Sequence, residues 1–413
     1  MKVAIITHSS TFEARAHAIG DYFRRRGDDV TWFFSDLDHR TKKTVERSAP
    51  DHVYVHLEPF KRNMSMKRMR AIRRFSHDVE RELDARMRTD PFDVLWFLLP
   101  ANSLAGVADR LHERYGTPVV FDIIDLWPES LPVKGLAATP PARMWARLRD
   151  AHLGCASLIT TECDRYRGII GLPADRTRTL YWYKPRPEGD PGAVGLATDA
   201  AWRKVAQDAA PHGAASHDGA APLPVAYLGA VNNIIDISLI TRLLAAMNDI
   251  RPVHLHIVGT GERLERFVEQ TRESVSRVTY HGAVYDEPRK DAILGGCAYG
   301  INIMKPTVKV GLSMKSIDYL YCGLPLLNAI GGDSADLVER EGAGVNVDPL
   351  DIEATARHAV ALAADPVASE RMHRAARACY DAHFTEERFN EALDSAVSTF
   401  IEPAVHGGEG ARA

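Results

Sequence analysis

The chain of 413 residues is poor in several features, and each shortage excludes a class of protein. Its five cysteines form no CxxC pair and no His/Cys cluster at zinc spacing, which argues against a disulfide scaffold or a zinc module. The net charge of −4 is too small for a bulk nucleic-acid binder. No apolar run approaches the roughly 20 residues that span a bilayer, and the N-terminus lacks a signal-peptide pattern. We therefore expect a cytoplasmic protein.

Two series of alternating strand and helix patterns are present, and a segment rich in Ala, Gly, Pro and Asp separates them. The series open with KVAII (2–6) and PVAYLG (224–229), and strands that are apolar throughout indicate parallel sheets buried on both faces. The sequence therefore predicts an α/β protein of two doubly wound, Rossmann-like domains facing a central cleft. The expected parts are an N-terminal domain (1–185), a linker or insertion (186–222), a second domain (223–385), a C-terminal helix packing back on the first domain (386–403) and a flexible tail (404–413).

A helix N-terminus suited to an anion is predicted between Gly311 and Pro325. Ser313 is a favourable N-cap, and the helix predicted over 314–322 is stopped by Gly323. The N–H groups at such a terminus are unpaired and carry a partial positive charge, which suits a phosphate.

Lys315 and Asp318 lie three residues apart, so their side chains project from one face of this helix. The ammonium group can add a full charge toward a phosphate, and the carboxylate can accept hydrogen bonds from a ribose diol. The alternative is an ordinary capped helix with a surface Lys–Asp pair, and spacing alone favours neither. The core-facing stripe is predicted to be Met314, Ile317, Leu320 and Tyr321.

Four blocks in the second half resemble glycosyltransferase family 4. They are VHLHIVGTGERLERF (253–267), RVTYHGAV (277–284), IDYLYCGLPLLN (317–328) and GGDSADLVEREGAGVNV (331–347). The resemblance covers residues 224–350 well and the N-terminal half loosely. It implies a GT-B architecture and retaining transfer of a sugar from a UDP-sugar to a saccharide acceptor.

The resemblance also implies roles for individual residues of the second half. Asp318 stands where the family has a ribose-binding glutamate, and the backbone near Val284 and Tyr285 stands where the family contacts the base. Gly229 is the glycine retained after the first strand of this domain. The backbone of four residues stands where N–H groups meet the diphosphate: Gly311, Leu312, Ser313 and Met314.

The sequence departs from the family pattern in three places. Val310 replaces the first glutamate of the family's pair, and the surviving carboxylate is a shorter aspartate. Ala230 stands at the position of an arginine that binds the diphosphate, with no lysine nearby. The positive charge must therefore come from Lys315, Lys305 or Lys309.

Carboxylates follow a predicted strand of the first half in FDIIDLWPES (121–130). This segment resembles one in family members that build bacterial surface polysaccharides. Asp125 is the main candidate for binding a reacting hydroxyl or sugar, and a helix-capping aspartate is the alternative. His8 and Glu162 also follow strands and are further catalytic candidates, although a lone histidine is more often structural.

The segment KRNMSMKRMRAIRR (61–74) contains seven basic residues and no acid. Such a helix can lie on an anionic membrane or contact a lipid-linked diphosphate acceptor. A solvated basic helix explains the pattern equally well. The candidate contact residues are Lys67, Arg68, Arg70, Arg73 and Arg74.

The sequence thus predicts a glycosyltransferase at the inner membrane face, acting on a lipid-linked saccharide in surface polysaccharide assembly. No DxD motif stands in a convincing metal-binding context, so no metal or other cofactor is expected. Two alternatives remain open. One is a UDP-sugar 2-epimerase on the same fold, and the other is a catalytically silent partner that binds the nucleotide-sugar.

Overall fold

The computed structural model describes residues 1–39, 41–60, 65–131, 135–186 and 221–407, with side chains up to residue 400. Contacts divide the chain into two units: Met1–Trp182 together with the segment from Asn390, and Tyr183–Phe389. Most of the predicted linker and of the predicted tail, and residues 61–64 of the basic segment, lie outside the described residues.

The first unit contains a seven-stranded parallel sheet in the order β5-β2-β1-β6-β7-β8-β9. Its strands are β1 (Lys2–Ile6), β2 (Asp29–Ser35), β5 (His52–Val55), β6 (Val94–Leu99), β7 (Val119–Ile123), β8 (Ala156–Thr161) and β9 (Thr177–Thr179), and a separate antiparallel pair is formed by β3 (Leu37–Asp38) and β4 (Lys43–Thr44). The helices are α1 (Glu13–Arg25), α2 (Met66–Met87), α3 (Ser103–Tyr115), α4 (Pro140–Asp150) and α5 (Arg165–Ile170).

The second unit contains a six-stranded parallel sheet in the order β12-β11-β10-β13-β14-β15. Its strands are β10 (Leu223–Leu228), β11 (Val253–Val258), β12 (Arg277–Tyr280), β13 (Tyr299–Asn302), β14 (Leu326–Asn328) and β15 (Gly344–Asn346). The helices are α6 (Ile237–Ile250), α7 (Leu264–Ser274), α8 (Glu287–Gly295), α9 (Met314–Tyr321), α10 (Asp333–Glu341), α11 (Ile352–Ala364) and α12 (Pro366–His383). A last helix, α13 (Glu386–Gly407), contributes its larger part to the first unit.

Apolar strands form the core of each unit because helices cover both faces of the sheet. All of β6 and β11 is buried, and even His254 and His256 of β11 are under one-tenth exposed. No helix in the described part of the chain is long and apolar enough to span a membrane.

Each sheet has a topological switch point, where strand order reverses direction. In the second unit it lies between β10 and β13, which are the first and fourth strands of that sheet along the chain. Ligands of doubly wound folds bind beyond the carboxyl ends of the strands at this point. The segment from residue 303 to α9 leaves β13 there, so topology places the predicted donor helix at the expected location.

Candidate functional site

The loops after β10 and β11 are packed backbone against backbone. A Cβ atom on Gly259 would lie 2.1 Å from the carbonyl oxygen of Gly229, and one on Gly261 would lie 2.3 Å from that of Val231. Both glycines also have positive φ angles, 149° and 142°. The GTG sequence therefore lets the two loops touch, and this contact supports the loop of Gly229 and Ala230 at the switch point.

The N-terminus of α9 is built as predicted, with a small polar network beneath it. Ser313 accepts a hydrogen bond from the Ser316 N–H at 3.3 Å and donates one to the Asn302 side chain at 2.7 Å. Asn302 donates to Asn328, and Asn328 donates to Asn346, both at 2.8 Å. Because β13, β14 and β15 each end in asparagine, this network connects the cap to the ends of three strands. The asparagine repeated at these strand ends was a signal in the sequence for the network.

Tyr319 attaches α9 to the centre of the sheet. Its hydroxyl accepts a hydrogen bond from the Leu228 N–H at 2.6 Å, at the end of β10. Its ring lies so close to β13 that a Cβ atom on Gly300 would be 2.6 Å from it. The fully buried ring thus fixes the helix relative to both strands that flank the switch point.

We expect Tyr319→Phe to destabilise the protein by about 1–3 kcal/mol, since the buried Leu228 N–H loses its side-chain acceptor. Urea unfolding measures this change. Tyr299→Phe is the matched control, because Tyr299 is equally buried but donates its hydroxyl to the Ala359 carbonyl. Both variants should lose stability, whereas only Tyr319→Phe should weaken nucleotide binding. Equal nucleotide affinity in the two variants would contradict a positioning role for Tyr319.

Lys315 lies over β10 in the first turn of α9. Its half-buried side chain places Nζ 4.7 Å from the centre of the Tyr227 ring. Burial lowers the pKa of Lys315 from its ordinary 10.5 to about 8. The side chain therefore carries a poorly solvated positive charge at the switch point, and such a charge is suited to binding an anion.

Asp318 is placed among lysines that the sequence analysis did not connect with it. Its carboxylate lies 3.3 Å from Nζ of both Lys184 and Lys290. Lys184 also contacts Asp291 at 2.8 Å and Glu287 at 3.1 Å. No sequence signal links Lys184 to α9, because only the fold brings the two segments together. A ribose diol reaching Asp318 would meet a carboxylate already held by two ammonium groups.

The remaining donor candidates are spread around the same end of the sheet. Lys305 is half-buried, and its N–H donates to the Ile234 carbonyl at 2.9 Å, while Lys309 is exposed. Val284 is half-buried in the loop after the edge strand β12, and Tyr285 is 76% exposed. Gly311 and Leu312 are buried.

The predicted core-facing stripe of α9 is wrong at Met314. Its side chain is 50% exposed, whereas Ile317, Leu320 and Tyr321 are buried as predicted. Met314 is the first residue of the helix, directly after the Ser313 cap. The backbone of Met314 keeps its predicted place at the helix N-terminus.

A buried ion pair organises the carboxyl ends of the first sheet. Arg15 of α1 donates to both oxygens of Asp122, at 2.6 and 2.9 Å, and also to the Leu180 carbonyl at 2.9 Å. Thr160 donates to the same carboxylate at 2.8 Å. Asp122 is completely buried, so it joins α1 to β7 and β8 and does not face a ligand.

The catalytic candidates of the first unit influence one another electrostatically. Burial raises the pKa of Asp125, opposed by the Ser130 hydroxyl, which donates to it at 2.7 Å. Burial raises the pKa of Glu162 to about 8; Arg15 opposes this shift and the charge of Asp125 adds to it. Glu162 is therefore mostly protonated at neutral pH.

His8 is almost completely buried, and neither of its ring nitrogens has a hydrogen-bond partner within the described part of the chain. Burial lowers its pKa well below the ordinary value, and the neighbouring His39 and Arg68 add to this effect. The imidazole is neutral at physiological pH. It therefore offers one hydrogen-bond donor and one acceptor to a ligand that reaches it.

Arg68 was predicted to contact the membrane or the acceptor, and the structure buries it, unlike its neighbours on α2. Its side chain is 8% exposed, and the guanidinium group lies 4.3 Å from the centre of the Trp127 ring. Burial lowers its pKa to about 10, while the charge of Asp125 opposes the shift. Arg68 thus belongs with the catalytic candidates. The other predicted contact residues are exposed on α2: Lys67, Arg70, Arg73 and Arg74.

Comparison with known proteins identifies part of the chain and its fold. Residues 225–365, about a third of the chain, match the family model described as glycosyl transferases group 1. In sequence, no curated protein matches the chain at a significant level.

Solved structures match nearly the whole chain. Sucrose-phosphate synthase from Thermosynechococcus elongatus is 15% identical with a TM-score of 0.70, and the match covers 98% of this chain and 100% of that chain. HepE from Anabaena, solved with UDP-glucose, is 14% identical with a TM-score of 0.63, covering 97% and 100%. The lipopolysaccharide outer core galactosyltransferase WaaB is 13% identical with a TM-score of 0.59, covering 97% and 99%. The predicted fold class is thereby confirmed: the chain is an α/β protein with the GT-B fold, and its residues 225–365 are similar to glycosyl transferases group 1.

Proposed function

We propose that the protein is a glycosyltransferase that transfers a sugar from a UDP-sugar to a saccharide acceptor. The observation that carries this proposal is the position of Lys315 and the capped N-terminus of α9 at the switch point of the second sheet. The segment also lies within the residues that match glycosyl transferases group 1. The similar HepE structure contains UDP-glucose, which supports UDP as the nucleotide.

The chemistry proposed for the second unit is stabilisation of a leaving diphosphate. The N–H groups at the N-terminus of α9 and the Lys315 ammonium group would neutralise the charge that develops as the sugar–phosphate bond breaks. Asp318, held by Lys184 and Lys290, would accept hydrogen bonds from the ribose. The transfer is proposed to retain the anomeric configuration and to need no metal, so added Mg²⁺ or Mn²⁺ should leave the rate unchanged.

The acceptor is proposed to be a lipid-linked saccharide used in surface polysaccharide synthesis. Asp125 is the proposed contact to the reacting hydroxyl, and His8 and Glu162 are further proposed catalytic residues. The exposed face of α2 would bring the enzyme to an anionic cytoplasmic membrane surface, because it combines Met66 and Met69, 64% and 45% exposed, with exposed basic residues.

Nucleotide binding and product analysis test the proposal. Calorimetry should show UDP binding, and incubation with a panel of UDP-sugars and lipid-linked acceptors should release UDP and increase the acceptor mass by one sugar. NMR of the product should show the anomeric configuration of the donor. A changed UDP-sugar without acceptor modification would indicate the 2-epimerase instead. UDP binding with background turnover over the whole panel would indicate a silent partner.

A charge-reversal variant tests the membrane contact. Replacing Arg70, Arg73 and Arg74 by glutamate should weaken binding to vesicles containing anionic lipid by at least roughly tenfold, because each basic residue near the surface contributes about 1 kcal/mol. Vesicle co-sedimentation measures this affinity. The control reverses Arg81, Arg86 and Arg88 at the other end of α2, where carboxylates lie near each of them. An equal loss in both triple variants would contradict a specific contact at the start of α2.

A further inference from the structure

Three different metal-ligating side chains meet in the second unit, outside the proposed donor segment. Glu341 is the last residue of α10, and Cys379 and His383 lie on α12. One possible ligand atom from each lies within 4.8 Å of the other two. Within the described ranges, these residues are the one group of three or more that could hold a metal ion.

The three side chains come from two neighbouring helices. Cys379 and His383 are four residues apart, so they project from the same face of α12. The third ligand comes from α10, and Nε2 of His383 lies 2.6 Å from Oε1 of Glu341. The sequence places only Cys379 and His383 together, since Glu341 and His383 are 42 residues apart.

Metal binding at this group would displace the thiol proton of Cys379, as divalent cations do at thiolate ligands in general.

We propose that Glu341, Cys379 and His383 form a zinc site that joins α10 to α12. Thiolate, imidazole and carboxylate are all ligands of Zn²⁺, and the thiolate disfavours Mg²⁺ and Ca²⁺. As the Zn–S bond forms, the thiol proton passes to solvent. Three protein ligands leave the fourth position to water.

The site would stabilise the unit that carries the donor segment. The opposite end of α10 is joined to that segment, because the Ser334 N–H donates to the Gly311 carbonyl at 2.8 Å. A metal at the C-terminal end of α10 would fix this helix against α12. The role is structural, and it does not depend on the proposed sugar transfer.

Cobalt substitution of the full chain tests the proposal. After removal of metal by a chelator, added Co²⁺ should give a thiolate-to-cobalt charge-transfer band in the wild type, and Zn²⁺ should abolish this band and raise the melting temperature. Cys379→Ser should lose the band, and His383→Gln should bind Zn²⁺ at least roughly tenfold more weakly. Cys155→Ser, in the first unit, is the control and should behave as the wild type.

Two results would overturn the zinc site. One is the absence of a charge-transfer band in the folded wild type. The other is unchanged Zn²⁺ affinity in Cys379→Ser. If Cys379→Ser fails to fold, Glu341→Gln supplies the same comparison at a partly exposed position, and unchanged Zn²⁺ affinity there would equally reject the site. UDP binding, measured in parallel, reports on the donor segment separately from the metal.

Discussion

Lys315→Met is expected to stabilise the ligand-free protein by about 1–3 kcal/mol at pH 7 while lowering the transfer rate by about 10²–10³-fold. The gain in stability arises because burial lowers the pKa of Lys315 to about 8, and one pKa unit corresponds to about 1.4 kcal/mol. The expected gain in stability is smaller than the full pKa shift would give, because the Lys315 side chain is only half-buried. A loss in rate of this size is typical when one group that stabilises charge in a transition state is removed.

The sign of the pH dependence distinguishes this explanation from a packing effect. In the unfolded chain Lys315 has its ordinary pKa of 10.5, whereas the folded value is about 8. Between pH 8 and 10.5 the unfolded state binds more protons, so the stability of the wild type rises with pH. The advantage of Lys315→Met should therefore be complete below pH 8 and disappear as the pH approaches 10.5.

Thermal unfolding from pH 7 to 10.5, together with UDP titration, measures both effects. Arg266→Met removes an exposed charge on α7 and is the control; it should change neither stability nor UDP affinity. The wild-type affinity for UDP should fall as the pH rises above about 8, whereas the residual affinity of Lys315→Met should not depend on this titration. A less stable variant with wild-type UDP affinity would show that Lys315 is an ordinary structural lysine.

Breaking the Arg15–Asp122 pair is expected to cost about 3–5 kcal/mol, since either single substitution leaves an uncompensated buried charge. The two side chains are 4% and 0% exposed and are joined by two hydrogen bonds. Arg15→Met and Asp122→Leu should each destabilise the protein strongly. The double variant should cost much less than the sum, because it removes both charges together.

Urea unfolding of the four proteins in this cycle measures the coupling, with hydrogen exchange in β7 and β8 to assign the loss to the first unit. The exposed Arg24–Asp51 pair in the same unit is the control, with side chains 43% and 56% exposed and an N–O distance of 2.7 Å. Arg24→Met should cost no more than about 1 kcal/mol. Additive losses at Arg15 and Asp122 would show that the buried charges do not depend on each other.

The sequence by itself determined the α/β class, the two sheets and the helix from Met314. These features follow from local chemistry: continuous apolar strands, the Ser313 cap and the stop at Gly323. These patterns involve residues only a few positions apart, so a single sequence shows them directly. The strand order that puts Lys315 at the switch point came from the structure.

Only the tertiary structure decided which side chains meet. Lys184 reaches Asp318 from another part of the chain, and Arg68 turns inward although its neighbours on α2 are exposed. Glu341 joins Cys379 and His383 across the packing of two helices. The sequence does not show whether a charged residue is solvated or buried, because its pKa and its partners depend on packing between distant segments. The sequence therefore located helix α9, and the fold determined the charges that surround it.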